Sequence, residues 1–401
     1  MLADAGALLV AATSANAGIA IPAGDWTIDI GGNVNAYYTK TTFSGNGYTG
    51  QGDRNNISTG LLPSAVGIGG KTRQNDLDIA FQFTFFTGIN AGPVTGSPTA
   101  STTGGVTGES TAGGGNSLNI RQAYMTFGDA SWGQIKAGRD LGVFGSDAIL
   151  SDMTLLGVGV GAGGQGNSTT GRIGSGYVYA DWVGQIQYST PNWNGLQFTV
   201  AAREKFNNGQ DTGADKSKLG FDGKVTYDFT GDVSGRVWAG FVSQRHENSL
   251  AAATKGGQND SYTSRGYDVG ARVAVSDFGL VGYFYDGRGL DTQLLNLLTI
   301  NSLGGLQMLA GNKSDDKGGY VQATYKIPTG TKLGVSYGRN RTEANNNSYD
   351  IENKSWIVGA YHPLTKSLNL VAEYTSQKVD EDRANINLDA KTVSLGAILF
   401  F

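Results

Sequence analysis

The chain has 401 residues, a formal net charge of −4, 63 glycines against 7 prolines, and no cysteine. A disulfide framework, a thiolate metal site and a cysteine nucleophile are therefore excluded, and the missing basic excess argues against a general nucleic-acid binder. The glycines follow no three-residue period and 10% of residues are aromatic, which excludes collagen and simple disorder.

Residues 1–17 differ from the rest. Ala5 to Ala12 is a short apolar block, and Ala15-Asn16-Ala17 resembles an A-x-A cleavage site. We expect an export signal over 1–17 with a truncated basic region, since no Lys or Arg precedes Lys40, and Gly18 as the mature start. A buried helix of the mature protein is the alternative. Beyond residue 20 no run approaches the ~20 apolar residues of a membrane helix.

After residue 25 the chain falls into about sixteen segments of alternating polarity. Ile28, Ile30, Val34, Ala36 and Tyr38 line one face of the first; Leu62, Val66 and Ile68 mark the second; Leu77, Ile79, Phe81, Phe83 and Phe85 the third. Leu118 to Phe127 and Trp132 to Asp140 follow. The sixth sets Val178, Ala180, Trp182, Ile186 and Tyr188 against Tyr177, Tyr179, Asp181, Gln185 and Gln187. Leu196 to Ala202, Leu219 to Phe229, Val233 to Phe241 and Tyr267 to Val275 come next. The remaining six centre on Val281 to Tyr285, Val321 to Ile327, Leu333 to Tyr337, Trp356 to Ala360, Leu368 to Tyr374 and Val393 to Phe401. In the last, Val393, Leu395, Ala397, Leu399 and Phe401 share one parity, and successive side chains on a strand take opposite faces.

Tight connections such as Lys71 to Asn75, Gly128 to Ser131, Pro328 to Gly330 and Pro363 to Lys366 alternate with long ones such as Thr41 to Gly60, Gly88 to Gly115, Leu141 to Gly171 and Gly289 to Asp316. That rhythm puts turns at one end and loops at the other of an up-and-down barrel. Lys136, Arg203, Lys224, Arg236 and Arg272 all fall opposite the apolar set of their strand. Sixteen strands enclose a lumen too wide for side chains to fill, so the apolar parity must face lipid and these bases line the lumen. Tyr and Trp near strand ends would form the interfacial girdles. The expected fold is all-β: a 16-stranded antiparallel transmembrane β-barrel over 18–401.

Four stretches carry a family signal. Arg121-Gln122-Ala123-Tyr124 precedes Trp132-Gly133-Gln134-Ile135-Lys136-Ala137-Gly138-Arg139-Asp140; Tyr188-Ser189-Thr190-Pro191-Asn192-Trp193-Asn194-Gly195-Leu196 is a Tyr-x-Ser-Pro-like turn; Ala360-Tyr361-His362-Pro363-Leu364-Thr365-Lys366-Ser367 leads to Ala372-Glu373-Tyr374; and the chain ends on Phe401. Together, across 116 to 401, they resemble the general porins of Gram-negative outer membranes; the first hundred residues match in general shape only. The resemblance implies a homotrimer in outer-membrane lipid and lipopolysaccharide that passes small hydrophilic solutes by diffusion, with no cofactor and no enzymatic activity. It implies a third long loop, 141–171, folded into each lumen, with Asp147 and Asp152 at acidic constriction positions facing Arg121 and the lumen bases. It also implies that the barrel-assembly machinery reads Phe401. Where many members carry another loop carboxylate this chain has Thr154-Leu155-Leu156, and Asp181 and Gln187 replace frequent arginines. Weak charge selectivity is therefore expected.

Other signals are weaker. Asp147 and Asp152 could instead cap turns of a glycine-rich loop. Gly70-Lys71-Thr72 lacks the glycine that a phosphate loop needs at Ala65. The glycines from Gly157 to Gly166 lack a βαβ context, and His246 and His362 are isolated. The leucines of 289–316 suggest a partly helical apolar loop that packs over the mouth or onto a neighbour, or forms an apolar vestibule. The competing reading of the whole chain is a plugged structural or adhesin barrel, which would not need a row of inward charges.

Overall fold

The computed structural model describes residues 18–46, 53–89, 118–160, 168–205, 218–247, 261–290, 313–345, 349–383 and 385–401. The expected signal segment 1–17 and most of the apolar loop 289–316 lie outside them.

The strands are β1 Ile19–Ala23, β2 Trp26–Ser44, β3 Arg54–Ser58, β4 Ser64–Gln74, β5 Leu77–Thr87, β6 Asn119–Asp129, β7 Gly133–Leu141, β8 Trp182–Ser189, β9 Leu196–Arg203, β10 Gly220–Phe229, β11 Val233–Glu247, β12 Ser261–Val275, β13 Phe278–Arg288, β14 Ser314–Lys326, β15 Lys332–Ala344, β16 Asp350–Pro363, β17 Leu368–Glu381 and β18 Ile386–Phe400. Sixteen of them close a ring: β2 pairs with β4, every later strand with the next, and β18 with β2, all antiparallel. Closure leaves none of these sixteen as an edge strand, a condition for crossing lipid.

The other two strands share edges of β2, which is 19 residues long. One edge carries β18 opposite Asn33 to Ser44 and β1 opposite Trp26 to Ile30. The second carries β4 opposite Thr27 to Asn33 and β3 opposite Tyr37 to Thr41. Phe401 exchanges both backbone hydrogen bonds with Gly32 (2.8 and 3.1 Å), and Ile19 pairs with Ile30, so β1 continues the line that β18 ends.

The alternation read from the sequence is the alternation of faces. Phe83, Met125, Ile186, Val269, Trp356 and Leu395 are among many large apolar side chains exposed on the outside, far more than water tolerates as one surface. Trp132, Trp193, Tyr188, Phe278 and Tyr325 cluster at the turn end as half of an aromatic girdle. The connection expected over Lys71 to Asn75 is tighter still: β4 runs on to Gln74, and Asn75 and Asp76 both take positive φ (48° and 63°) before β5, the two-residue hairpin geometry that matches strand twist.

Two departures reshape the interior. The register of β5 on β6 shifts between Thr84 and Phe85, leaving Arg121 as an extra residue. Both Arg121 and Gln122 are buried, so this bulge re-aims a side chain that simple parity would group with the outward Met125. The sixth predicted strand begins later than its alternation suggested. Asp181 takes φ 56° and β8 starts at Trp182, so Val178 and Ala180 belong to the preceding connection. Alternation carried no information there because the segment is covered on both sides.

Candidate functional site: a strap across the lumen

Residues 142–160 and 168–181, the described parts of the connection between β7 and β8, lie inside the barrel. They hold a short helix, α1, Ser146–Ser151, entered through Gly145 in a left-handed conformation (φ 76°), and a 3-10 turn, Met153–Leu156. A chain inside a barrel must find partners for its backbone groups, and the inward side chains of the strands supply them. The N–H groups of Phe144 and Gly145 donate to the carboxylates of Asp222 (3.4 Å) and Asp268 (3.2 Å). Tyr320 donates its hydroxyl to Ala148 O at 2.8 Å, and Gln322 bridges Ser151 O (3.0 Å) and Met153 N (2.8 Å). Tyr37 donates to Leu156 O at 2.7 Å.

The far end is held by Glu373. One of its oxygens accepts from Val158 N (2.9 Å) and Gly159 N (2.7 Å), the other from the Tyr361 hydroxyl (2.7 Å). Gly157 lies so close to this carboxylate that a Cβ would collide with it. Leu61 N donates to Gly157 O (2.8 Å) and Thr169 N to Gly60 O (3.1 Å), where β3 gives way to β4. On the return Arg172, fully buried, donates to the hydroxyls of Ser336 (2.6 Å) and Ser355 (3.0 Å). The strap thus touches β10, β12, β14, β2, β17, β15 and β16.

Apolar contact reinforces these bonds. Phe144, Ala148, Ile149, Tyr177 and Val178 of the strap pack with Trp238, Tyr283, Tyr285 and Tyr320 of the inner wall in one buried cluster. The Tyr177 and Tyr320 rings meet edge to face at 5.7 Å, a pairing worth about 0.5–1.5 kcal/mol beyond its area.

Each residue singled out from the sequence has a definite place. Asp147 sits on α1 between Lys224 Nζ (2.7 Å) and Arg236 Nη1 (3.1 Å), and Arg236 also holds Asp228. Burial works against the Asp147 charge, but Lys224 and Arg236 outweigh it and keep its carboxyl below the ordinary range. Asp152 accepts from the Tyr177 hydroxyl (2.7 Å) and from Thr154 N (2.9 Å), so it caps the 3-10 turn. Arg121 lies over the Phe86 ring at 5.1 Å. Lys136 pairs with Asp140 (2.6 Å), Arg203 with Asp222 (2.7 Å), and Arg272 is exposed to the lumen. The structure brings Asp147 together with two of the predicted bases, as bonded partners at the wall. The sequence reading missed Glu373, Arg172, Asp268, Tyr320 and Gln322 as strap anchors. All but Arg172 stand on the inward parity of their strands, where a polar or tyrosine side chain opposite the apolar set was the available signal.

The chain matches the family model described as Gram-negative porin over residues 5–382. Its fold resembles the outer-membrane channel DcaP of Acinetobacter baumannii (TM-score 0.62, 17% identity, 96% of this chain and 100% of that one) and an anion-selective porin from Comamonas acidovorans (TM-score 0.61, 15% identity, 94% and 100%). It also resembles the trimer form of OmpT, an outer-membrane protein of Vibrio cholerae (TM-score 0.51, 14% identity, 94% and 99%). No curated protein sequence matches it. The closed 16-stranded barrel and the match over nearly the whole chain agree: this protein belongs to the Gram-negative porin family and is an outer-membrane diffusion channel.

Proposed function

We propose that the pore is weakly charge-selective, has no enzymatic activity, and works as a homotrimer passing small hydrophilic solutes. The observation that carries the selectivity reading is the clamp of Asp147 between Lys224 and Arg236. Acid and base that meet as bonded partners largely cancel, so a passing ion meets a weak transverse field instead of two separated charged walls. The homotrimer draws support from the trimer form of the Vibrio cholerae protein.

Reversal potentials in a salt gradient test this. Asp147→Asn leaves Lys224 without its carboxylate and Arg236 with Asp228 alone, and should shift the potential towards anions, most at low ionic strength. Asp152→Asn, whose partners are a tyrosine and an amide, should shift it less. An unchanged potential in Asp147→Asn would remove this residue from the conduction path.

Assembly is the second part of the proposal. Phe401 is an outward, exposed aromatic that also closes β18 onto Gly32, and we assign it as the signal read by the barrel-assembly machinery. Its deletion should lower the heat-modifiable fraction in the outer membrane; a normal yield would count against that role.

A further inference from the structure

The inner wall changes sign below the strap, towards the short turns. β12, β14 and β15 each carry a strap anchor: Asp268, Gln322 and Ser336. Four residues nearer the turn on each strand, and so on the same inward parity, stands a base: Arg272, Lys326 and Lys332. Four residues span about 13 Å of strand, or about 10 Å along the axis of a tilted barrel. Lys326 and Lys332 face each other across β14 and β15. Arg272 stands nearer the strap, in register with Arg236 and, through Val281, with Gln322, so the three bases line the wall from the turn-side margin of the strap to the turns.

These bases differ from those at strap level. Lys136, Arg203 and Lys224 each hold a carboxylate, whereas Arg272, Lys326 and Lys332 form no ion pair among the described residues. Lys332 Nζ lies 5.1 Å from the centre of the Tyr361 ring, which steadies a cation without neutralising it. Arg236, the cross-strand partner of Arg272, is tied to Asp147 and Asp228. Asp29 shares the inward parity at the turn end of β2, on another part of the wall, and Asp232 and Asp277 sit in turns at the open mouth, where bulk water and salt screen them.

We infer that Arg272, Lys326 and Lys332 make the turn-side half of the lumen an anion-collecting vestibule, so that the pore is charge-asymmetric along its axis and takes small polyanions from that side. The inference rests on the diffusion-channel reading. A positive segment in series with a nearly compensated one favours anions locally while the pore as a whole stays weakly selective. A bias that drives anions from the vestibule into the strap level accumulates salt in the pore, and the opposite bias depletes it. The current is therefore rectified.

The test is single-channel recording in symmetric KCl at about 0.1 M, where the Debye length is about 10 Å, and at about 1 M, where it is about 3 Å. The wild-type current should rectify at the lower salt and become linear at the higher. Inorganic tripolyphosphate should block at lower concentration from one side, the side whose negative polarity gives the larger current. The triple variant Arg272→Gln, Lys326→Gln, Lys332→Gln should keep its conductance steps, lose both asymmetries and shift its reversal potential towards cations. Should the triple variant not yield heat-modifiable protein, Arg272→Gln alone, at an exposed site, should weaken the one-sided block. A linear wild-type current at low salt, equal block from both sides, or asymmetry unchanged in the variants would overturn the inference. Absence of any conductance step would instead overturn the channel reading on which it rests.

Discussion

The inner wall has two kinds of sector. From β5 to β9 the inward positions are mostly polar, Gln82, Thr84, Gln122, Lys136, Gln185 and Thr199, with Phe86 and Tyr124 among them. The polar groups bond along the wall, as Thr84 does to Gln122, and Gln122 and Lys136 to Asp140. From β11 to β16 they carry Trp238, Tyr283, Tyr285, Tyr320 and Tyr361, all buried. Both sectors obey the same two-residue alternation, and both face inwards. What separates them is the strap, which turns one stretch of wall into a packed interface with its own apolar cluster. Parity therefore says which way a side chain points in a barrel; the chemistry of the inward set says whether it bonds along the wall or packs against another piece of the chain.

The largest expected effect comes from unpinning the strap. Glu373→Ala removes the acceptor of Val158 N, Gly159 N and the Tyr361 hydroxyl, and each buried donor left unsatisfied costs about 1–3 kcal/mol. We expect urea titration to show a loss of several kcal/mol, shared between barrel and strap, and open-channel current noise to rise. A variant as stable and quiet as the parent would mean that this carboxylate does not hold the strap.

Next comes the direction of the faces in the uncovered sector. Phe83 is exposed on the outside of β5, and an Arg there near the bilayer midplane should cost about 2–4 kcal/mol. Its neighbour Gln82, on the inward parity, should accept Arg at nearly no cost. Equal destabilisation of the two variants would break the parity assignment.

The smallest effect sharpens the contrast between sectors. Gln322→Ala strands Met153 N and Ser151 O and should cost about 1–3 kcal/mol. Gln82→Ala, whose partners are local on its own strand, should stay within about 0.5 kcal/mol. Similar losses at both sites would remove the distinction drawn between covered and uncovered wall.

The barrel was legible because its signal is local. Phe81, Phe83 and Phe85 against Ala80, Gln82 and Thr84 specify a face by themselves, while the turn expected over Lys71 to Asn75 narrows to Asn75 and Asp76 because β4 runs on to Gln74. The strap was only partly legible. Asp147 stood out through its family position, but its partners Lys224 and Arg236 lie 77 and 89 residues away, and their pairing depends on where α1 lands. One sign was present in the sequence. In β13 the run Tyr283-Phe284-Tyr285 is apolar on both parities, the pattern of a strand covered on both sides. Arg121 shows the opposite limit: a one-residue bulge moved it to the face that counting alone would deny it.

The central claim is that a lumen remains open past the strap. Planar-bilayer recording of purified, heat-modifiable protein tests it most directly. Discrete conductance steps in neutral salt are the expected result; folded protein that inserts without any step would contradict the account and favour a plugged barrel.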